Sequence, residues 1–182
     1  MSLAPYYVIG CTQPVPAYSC NPCPTTEKGR ISTAFFIKPD YVFTDPTNPT
    51  EWLQAQQDGN VIIIPNVRGK YDGGSSKKGE GYGREVERLM NYTFKAEFKD
   101  LNLLPNASFY DTIDKTTDWK FAFLTETILW MVDYPVTIET KDEVTEDAES
   151  DLFWLSAVSW QGKNKPRKFT APAGISNCFD LV

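Results

Sequence analysis

The chain has 182 residues, 41% of them hydrophobic and 23% charged, which is enough for one globular domain with a substantial core. A net charge of −6 argues against a nucleic-acid-binding protein, and the absence of histidine excludes Ser-His-Asp and Cys-His catalysis and metal sites with histidine ligands. Because no stretch approaches the roughly 20 apolar residues of a membrane-spanning helix, we expect neither a membrane nor a sequence-specific nucleic acid as partner.

Residues 1–30 differ in composition from the rest of the chain. They contain five prolines and three of the four cysteines, which predicts an irregular N-terminal arm with polyproline character. The residues that follow, 31–182, are predicted to form a single β-rich domain. The first residues lack the basic start and the uninterrupted apolar run of a signal peptide, so we expect a protein that is cytoplasmic at synthesis.

The four cysteines are the candidate metal ligands. Cys20 and Cys23 form a Cys-x-x-Cys pair, Cys11 precedes it, and Cys178 lies near the other end of the chain. Such a pair is the usual first half of a structural zinc site, and four thiolates complete one without histidine. The alternative is free thiols, because a reducing compartment disfavours disulfides.

Hydrophobic periodicity predicts seven to nine strands and two short helices. Alternation is clearest from Met90 to Phe98, where every second residue is apolar. The predicted strands, in chain order, cover 31–37, 41–43, 61–64, 90–98, 119–123, 127–132, 136–140 and 152–160. The predicted helices cover 51–57, capped by Thr50, and 107–114, capped by Asn106.

The segment 69–84 is rich in glycine and lysine and separates the strands 61–64 and 90–98, which we expect to form a hairpin. Its glycines cannot build a core, so the sequence predicts a long, mobile, polar loop that protrudes from the sheet. The spacing of the glycines does not fit a P-loop or a dinucleotide-binding motif, and a strand follows where such a site requires a helix. The loop is either solvated or becomes ordered against a neighbouring subunit.

A second charged segment, 139–151, holds seven acidic residues and one lysine, and a basic cluster follows at 163–168. The segment predicts an exposed acidic loop in which no two carboxylates are held rigidly for acid-base catalysis. The segment 68–88 has six basic residues against four acidic ones, so it is opposite in charge to 139–151. Patches of opposite charge on one chain suit head-to-tail or ring contacts between copies, although two merely solvated loops are the alternative. The candidate interface residues are Tyr71, Lys77, Lys78, Tyr82, Arg84, Glu143, Glu146 and Asp147.

These elements add up to a mainly β protein, an antiparallel sandwich or barrel with one or two short helices and long extended arms. Over about residues 61–160, the runs GYGREVERLMNYTFKAEFKDLN, NASFYDTI, DWKFAFLTETILWMVDYPVTI and TEDAESDLFWLSAVSW resemble structural proteins of tailed-phage virions. They are similar in particular to tail-tube-like β-sandwich proteins and to small virion proteins of crAss-like phages. The resemblance implies a virion component made in the host cytoplasm, with copies of itself and other virion proteins as partners.

The sequence therefore favours a non-enzymatic structural subunit, placed as a head auxiliary or decoration protein, a connector or a tail-tube-like component. One alternative is a carbohydrate- or protein-binding sandwich, which needs exposed aromatic rings, but core packing explains Trp130, Trp154 and Trp160 more simply. The other is a glycosidase-like enzyme, which needs an apolar cleft with two facing carboxylates. Asp111, Asp114 and Asp118 are candidates for a cation site, although acids at helix ends are common as caps.

Overall fold

The computed structural model describes residues 29–76, 92–144, 151–162 and 164–175. Within these ranges the chain forms nine strands and two helices. In chain order they are β1 (Thr33–Ile37), α1 (Pro49–Gln57), β2 (Val61–Ile64), β3 (Arg68–Ser76), β4 (Tyr92–Asp100), α2 (Ala107–Ile113), β5 (Lys120–Leu124), β6 (Ile128–Pro135), β7 (Thr137–Glu143), β8 (Phe153–Gly162) and β9 (Arg167–Thr170).

The strands form two packed antiparallel sheets, which confirms the predicted mainly β sandwich. One sheet has five strands in the order β2-β1-β5-β6-β9, and the other has four in the order β3-β4-β8-β7. Aromatic side chains fill the space between the sheets, because alternate residues of each strand point to the same face. Phe98 of β4 lies on Phe121 of β5, with ring centroids 6.3 Å apart and planes within 6° of parallel.

Helix α1 covers the outer face of the five-stranded sheet. Its fully buried Trp52 packs on Phe35 of β1, with ring centroids 4.9 Å apart. The helix begins where the Asn48 side chain accepts a hydrogen bond from Thr50 N at 3.0 Å, with Pro49 in the first turn. The predicted cap at Thr50 is therefore wrong, because Asn48 is the residue whose side chain reaches the free backbone donor.

The prediction of a short strand over 41–43 is also wrong. Tyr41 and Phe43 form no strand, and instead their rings extend the cover over the outer sheet face. Phe43 stacks on Trp52 with centroids 4.3 Å apart. The apolar residues of this short run pack against the helix that follows them.

The glycine-rich loop predicted over 69–84 is wrong for its first half, which is strand β3. This strand pairs with β4, while β2 pairs with β1 in the other sheet, so the expected hairpin between 61–64 and 90–98 is wrong too. Gly69 suits the strand because a Cβ there would lie 2.6 Å from Glu97 O and 2.8 Å from Phe98 Cβ. The absence of a side chain thus permits close packing here and does not produce a loop.

Two charged segments also contain strand residues that periodicity did not predict. Strand β7 extends through Glu143, so the first residues of the predicted acidic loop 139–151 belong to the four-stranded sheet. The basic cluster leads into β9, which pairs with β6. Arg167 of β9 donates to the Asp133 carboxylate of β6 at 2.5 and 2.7 Å, which joins the two strands through their side chains.

The outer edge of β7 is occupied by the segment between α2 and β5. Ile138 N donates to Thr116 O at 3.1 Å, and Lys115 N donates to Ile138 O at 2.7 Å. Thr140 N donates to the Asp114 carboxylate at 2.8 Å. The backbone donors that this stretch of β7 presents away from β8 are therefore bonded within the chain.

We expect Gly69→Ala to lower the free energy of unfolding by about 1–3 kcal/mol, because its methyl group overlaps backbone and Cβ atoms that cannot move aside. Gly73→Ala is the matched control in the same strand, since no atom lies within 4 Å of a Cβ there. Urea unfolding of both variants measures the difference. Equal stabilities would contradict the close packing at Gly69.

Candidate interaction surfaces

Most of the residues singled out in the sequence lie outside the described residues. This applies to the proposed zinc ligands Cys11, Cys20, Cys23 and Cys178, and to the interface candidates Lys77, Lys78, Tyr82, Arg84, Glu146 and Asp147. Among the residues that the structure describes, no group of three or more Cys, Asp or Glu could hold a metal ion. Neither described helix is long and apolar enough to cross a membrane.

Tyr71, an interface candidate, lies on β3 and is half-buried between the sheets. Its ring packs on Phe123 and Trp130 of the opposite sheet, with centroid distances of 5.3 and 5.6 Å. The pKa of Tyr71 is raised to about 12, mainly because the hydroxyl is buried and secondly because of the negative charge of Asp72. Its buried hydroxyl has no hydrogen-bond partner among the described residues. The residue is thus a partly buried aromatic contact, whereas the sequence had placed it in an exposed loop.

The five tryptophans do not form an exposed platform. Trp52, Trp154 and Trp160 are buried, and Trp119 and Trp130 are half-buried. Lys168 covers one face of the Trp130 ring, with its Nζ 4.5 Å from the ring centroid. This arrangement suits core packing better than the stacking of a sugar ring on an open aromatic surface.

One groove brings two carboxylates together on the outer face of the four-stranded sheet. It has a volume of about 400 Å³ and is lined by Lys70, Asp72, Lys95 and Glu97, among others. Glu97 lies 2.6 Å from Lys95 Nζ and 3.0 Å from Lys70 Nζ. The hydrogen bond from Lys95 makes the largest contribution to a lowered pKa of the Glu97 carboxyl, and the hydrogen bond from Lys70 makes the second largest. The carboxyl group that acts as general acid in a glycosidase requires a raised pKa, so this groove is poorly suited to glycoside hydrolysis.

The topology places the two oppositely charged segments at opposite ends of the sandwich. Glu143 pairs with Phe153, so the acidic connection begins and returns at the start of β8. Tyr92 pairs with both Ser76 and Gly162, so the connection from β3 to β4 begins and returns at the other end of β8. The ten residues of β8 separate these ends by about 30 Å at 3.3 Å per residue.

We call the first of these ends the acidic end. The sequence 142–151, which begins with the last two residues of β7 and leads towards β8, contains six acidic residues and no basic one. Four of the five exposed large apolar side chains of the described residues follow or precede the strands at this end: Leu101, Leu104, Val144 and Leu152. The most exposed of them is Leu104, at 85%. The exposed large apolar side chains of the described residues are therefore concentrated at this end of the molecule.

A buried carboxylate fixes the loop that carries Leu104. Asp100, only 2% exposed, accepts hydrogen bonds from Tyr110 OH at 2.7 Å and from Asn102 N at 2.9 Å. Trp154 Nε1 donates to Leu103 O at 2.8 Å, next to Leu104 itself. Burial, and then the hydrogen bond to Asp100, raises the pKa of Tyr110. Leu104 is thus exposed on a loop that is held on both sides by buried groups.

We call the opposite end the basic end. The sequence 161–170 contains four basic residues and no acidic one, and Lys165, Arg167 and Lys168 are exposed there. A cavity of about 230 Å³ opens at this end. Its lining is half apolar and half polar or charged. The apolar and aromatic residues are Val132, Tyr134, Trp160 and Pro166, and the exposed polar or charged residues are Asp133, Asn164, Lys165 and Arg167.

Comparisons with protein-family models, curated proteins and solved structures found no match. The interaction surfaces are therefore argued from this chain's own geometry.

The sequence did not reveal the apolar group at the acidic end. Leu101 and Leu104 lie about forty residues before Val144 and Leu152, and only the register of β4, β7 and β8 brings the four to one end. The available signal was the presence of isolated apolar residues in polar segments, notably Val144 between Glu143 and Thr145.

We expect Tyr110→Phe to cost about 1–3 kcal/mol of unfolding free energy, because it removes a hydrogen-bond donor from a buried carboxylate. Tyr71→Phe is the matched control, since the Tyr71 hydroxyl has no partner among the described residues and its removal should be neutral or stabilising. Urea unfolding at pH 7 compares the two. A larger loss for Tyr71→Phe would show that its hydroxyl is bonded.

Stability should also fall with pH above the ordinary tyrosine pKa of 10. Because folding raises the pKa of Tyr71 to about 12, the unfolded chain loses this proton first, and the free energy of unfolding decreases as the pH rises from 10 to 12. Tyr71→Phe should make this decrease shallower. Thermal unfolding followed by circular dichroism at several pH values measures the slope, and identical slopes for both proteins would contradict the shift.

Proposed function

We propose that the protein is a non-enzymatic structural subunit of a tailed-phage virion, which assembles with copies of itself and with other virion proteins. The observation that supports the proposal best is the separation of charge along one sandwich, with an acidic, partly apolar end and a basic end at opposite ends of β8. Subunits with complementary ends suit repeated assembly. The sequence resemblance to virion proteins adds the particle to which such a subunit belongs.

The geometry favours this role over the two alternatives. The tryptophans pack within the protein, so they provide no open platform for a sugar. Of the two carboxylates that share a groove, Asp72 is exposed, and the half-buried Glu97 is held ionised by two lysines. A two-sheet sandwich is also compatible with head decoration, a connector ring and a tail tube, all within a virion assembled in the host cytoplasm.

Electron microscopy of the purified protein is the direct test of this role. We expect rings, tubes or other regular oligomers, or specific attachment to particles of a crAss-like phage that lacks the subunit. Antibody labelling of intact particles then locates it in the head, the connector or the tail. A protein that stays monomeric and also fails to bind any phage particle would overturn the proposal.

A further inference from the structure

Each of the two sheets ends in two edge strands, and three of these four edges carry a feature that hinders pairing with another chain. The edge of β7 is bonded to the segment that precedes β5. The edge of β3 is bridged by Ile31 and interrupted by a bulge after Asp72. The edge of β9 bears the exposed charges of Arg167 and Lys168. Covering segments, bulges and charges are the usual protection of sheet edges.

The edge of β2 has no such protection among the described residues. The strand is Val-Ile-Ile-Ile, uncharged and β-branched throughout, and it pairs with β1 without a register shift. Ile62 and Ile63, in the middle of the strand, are only half-buried. An uncharged apolar edge strand with high β-propensity is a site for pairing with a further strand.

Alternate backbone groups of β2 point away from β1. Lys38 N donates to Asn60 O at 2.9 Å, which fixes the phase of the ladder between β1 and β2. Because hydrogen-bonded and non-hydrogen-bonded pairs alternate in an antiparallel ladder, the backbone groups of Val61 and Ile63 face outward. Within the described part of the chain, nothing bonds to the N–H or C=O of these two residues. The edge therefore offers two donors and two acceptors.

The ends of this edge limit the length of strand that can pair with it. Before β2 the chain turns back to the end of α1, where Gly59 N donates to Gln56 O at 2.9 Å. After β2, Pro65 has no N–H to donate. A long foreign strand therefore gains no more hydrogen bonds than a strand of the length of β2. The outward groups are also placed symmetrically about Ile62, so β2 is its own complement.

We propose that β2 pairs antiparallel with β2 of a second copy about a two-fold axis beside Ile62, which joins two five-stranded sheets into one. Val61 of each copy then faces Ile63 of the other, and every outward donor and acceptor is bonded. Only β-branched side chains meet across the axis, and such pairs stabilise a sheet. The contact is isologous and closes as a dimer. The inference rests on the self-assembly in the proposed function and names one contact through which copies join.

Two substitutions of Ile63 separate the backbone contact from the side-chain contact. Ile63→Pro removes the outward N–H, and β1 loses no hydrogen bond because this N–H does not face it. Ile63→Ala is the matched control, since it shortens the same side chain but keeps the N–H. Circular dichroism verifies that both variants fold.

Substitutions of Ile62 give a test that does not depend on proline. Ile62→Lys and Ile62→Glu each place like charges opposite one another across the axis, so each variant alone should stay monomeric. An equimolar mixture should form a heterodimer, because Lys and Glu then face each other. The half-buried position allows both long side chains to reach solvent within the monomer.

Sedimentation velocity of the full chain over a range of concentrations measures the association. We expect Ile63→Pro to raise the dissociation constant of the dimer by about 10-fold or more, because each copy loses one donor, and Ile63→Ala to raise it less. Amide hydrogen exchange locates the contact. Exchange at Val61 and Ile63 should slow as the wild-type concentration rises.

Different outcomes separate this inference from the structural role. If the wild type assembles while Val61 and Ile63 exchange at a constant rate, or if Ile63→Pro assembles like the wild type, copies join elsewhere and the inference is wrong, while the structural role stands. If the wild type is monomeric at every concentration yet attaches to phage particles, the inference is again wrong and the structural role stands. A monomer that also fails to attach overturns both.

Discussion

The pairing of β1 with β5 is the contact on which the layers of the protein depend, because both strands are buried on both faces. Every residue of β1 is buried, and so are four of the five residues of β5. One face is covered by the aromatic side chains of the four-stranded sheet and the other by Trp52 and Ala55 of α1. The sandwich, with its helix on the outside, is therefore the arrangement that removes both faces of this pair from water.

A second constraint acts at the edge of that core. The Asp100 carboxylate is almost completely buried, and a buried carboxylate is tolerated only where hydrogen bonds replace its water. Tyr110 from α2 and the backbone of the 101–106 loop provide those bonds, so the helix and the loop hold one another in place. The polar interaction thus determines where the exposed leucines of the acidic end are found.

The sequence predicted the elements in which apolar and polar residues alternate and those in which the apolar residues are continuous. Strands β1, β2, β4, β5, β6, β7 and β8 and both helices were expected at nearly their observed positions, since burial of their apolar residues alone defines them. Strand β3 was missed because Gly69, Gly73 and Gly74 have low strand propensity, and its stability comes from pairing with β4 and from contact with Ile31. Strand β9 was missed because its charged residues conceal a short edge strand.

The interaction surfaces were less accessible to sequence reasoning than the fold. Opposite charges in 68–88 and 139–151 suggested contacts between copies, but only the register of β8 shows that the connections that begin at Ser76 and Glu143 leave the sheet at opposite ends. The apolar surface around Leu104 depends on tertiary proximity, and the cavity at Trp160 depends on three separate segments. Neither is encoded in any local pattern.

The occupied edge of β7 has a consequence for the behaviour of the protein at high concentration. A bare strand edge is a template for further strands, and at high local concentration it promotes irreversible cross-β growth. Between Val136 and Thr140 the donors that such a template would offer are already bonded to residues 114–119. Crowding at this edge therefore favours contacts made by side chains, which separate and re-form, over fusion of the sheets into an aggregate.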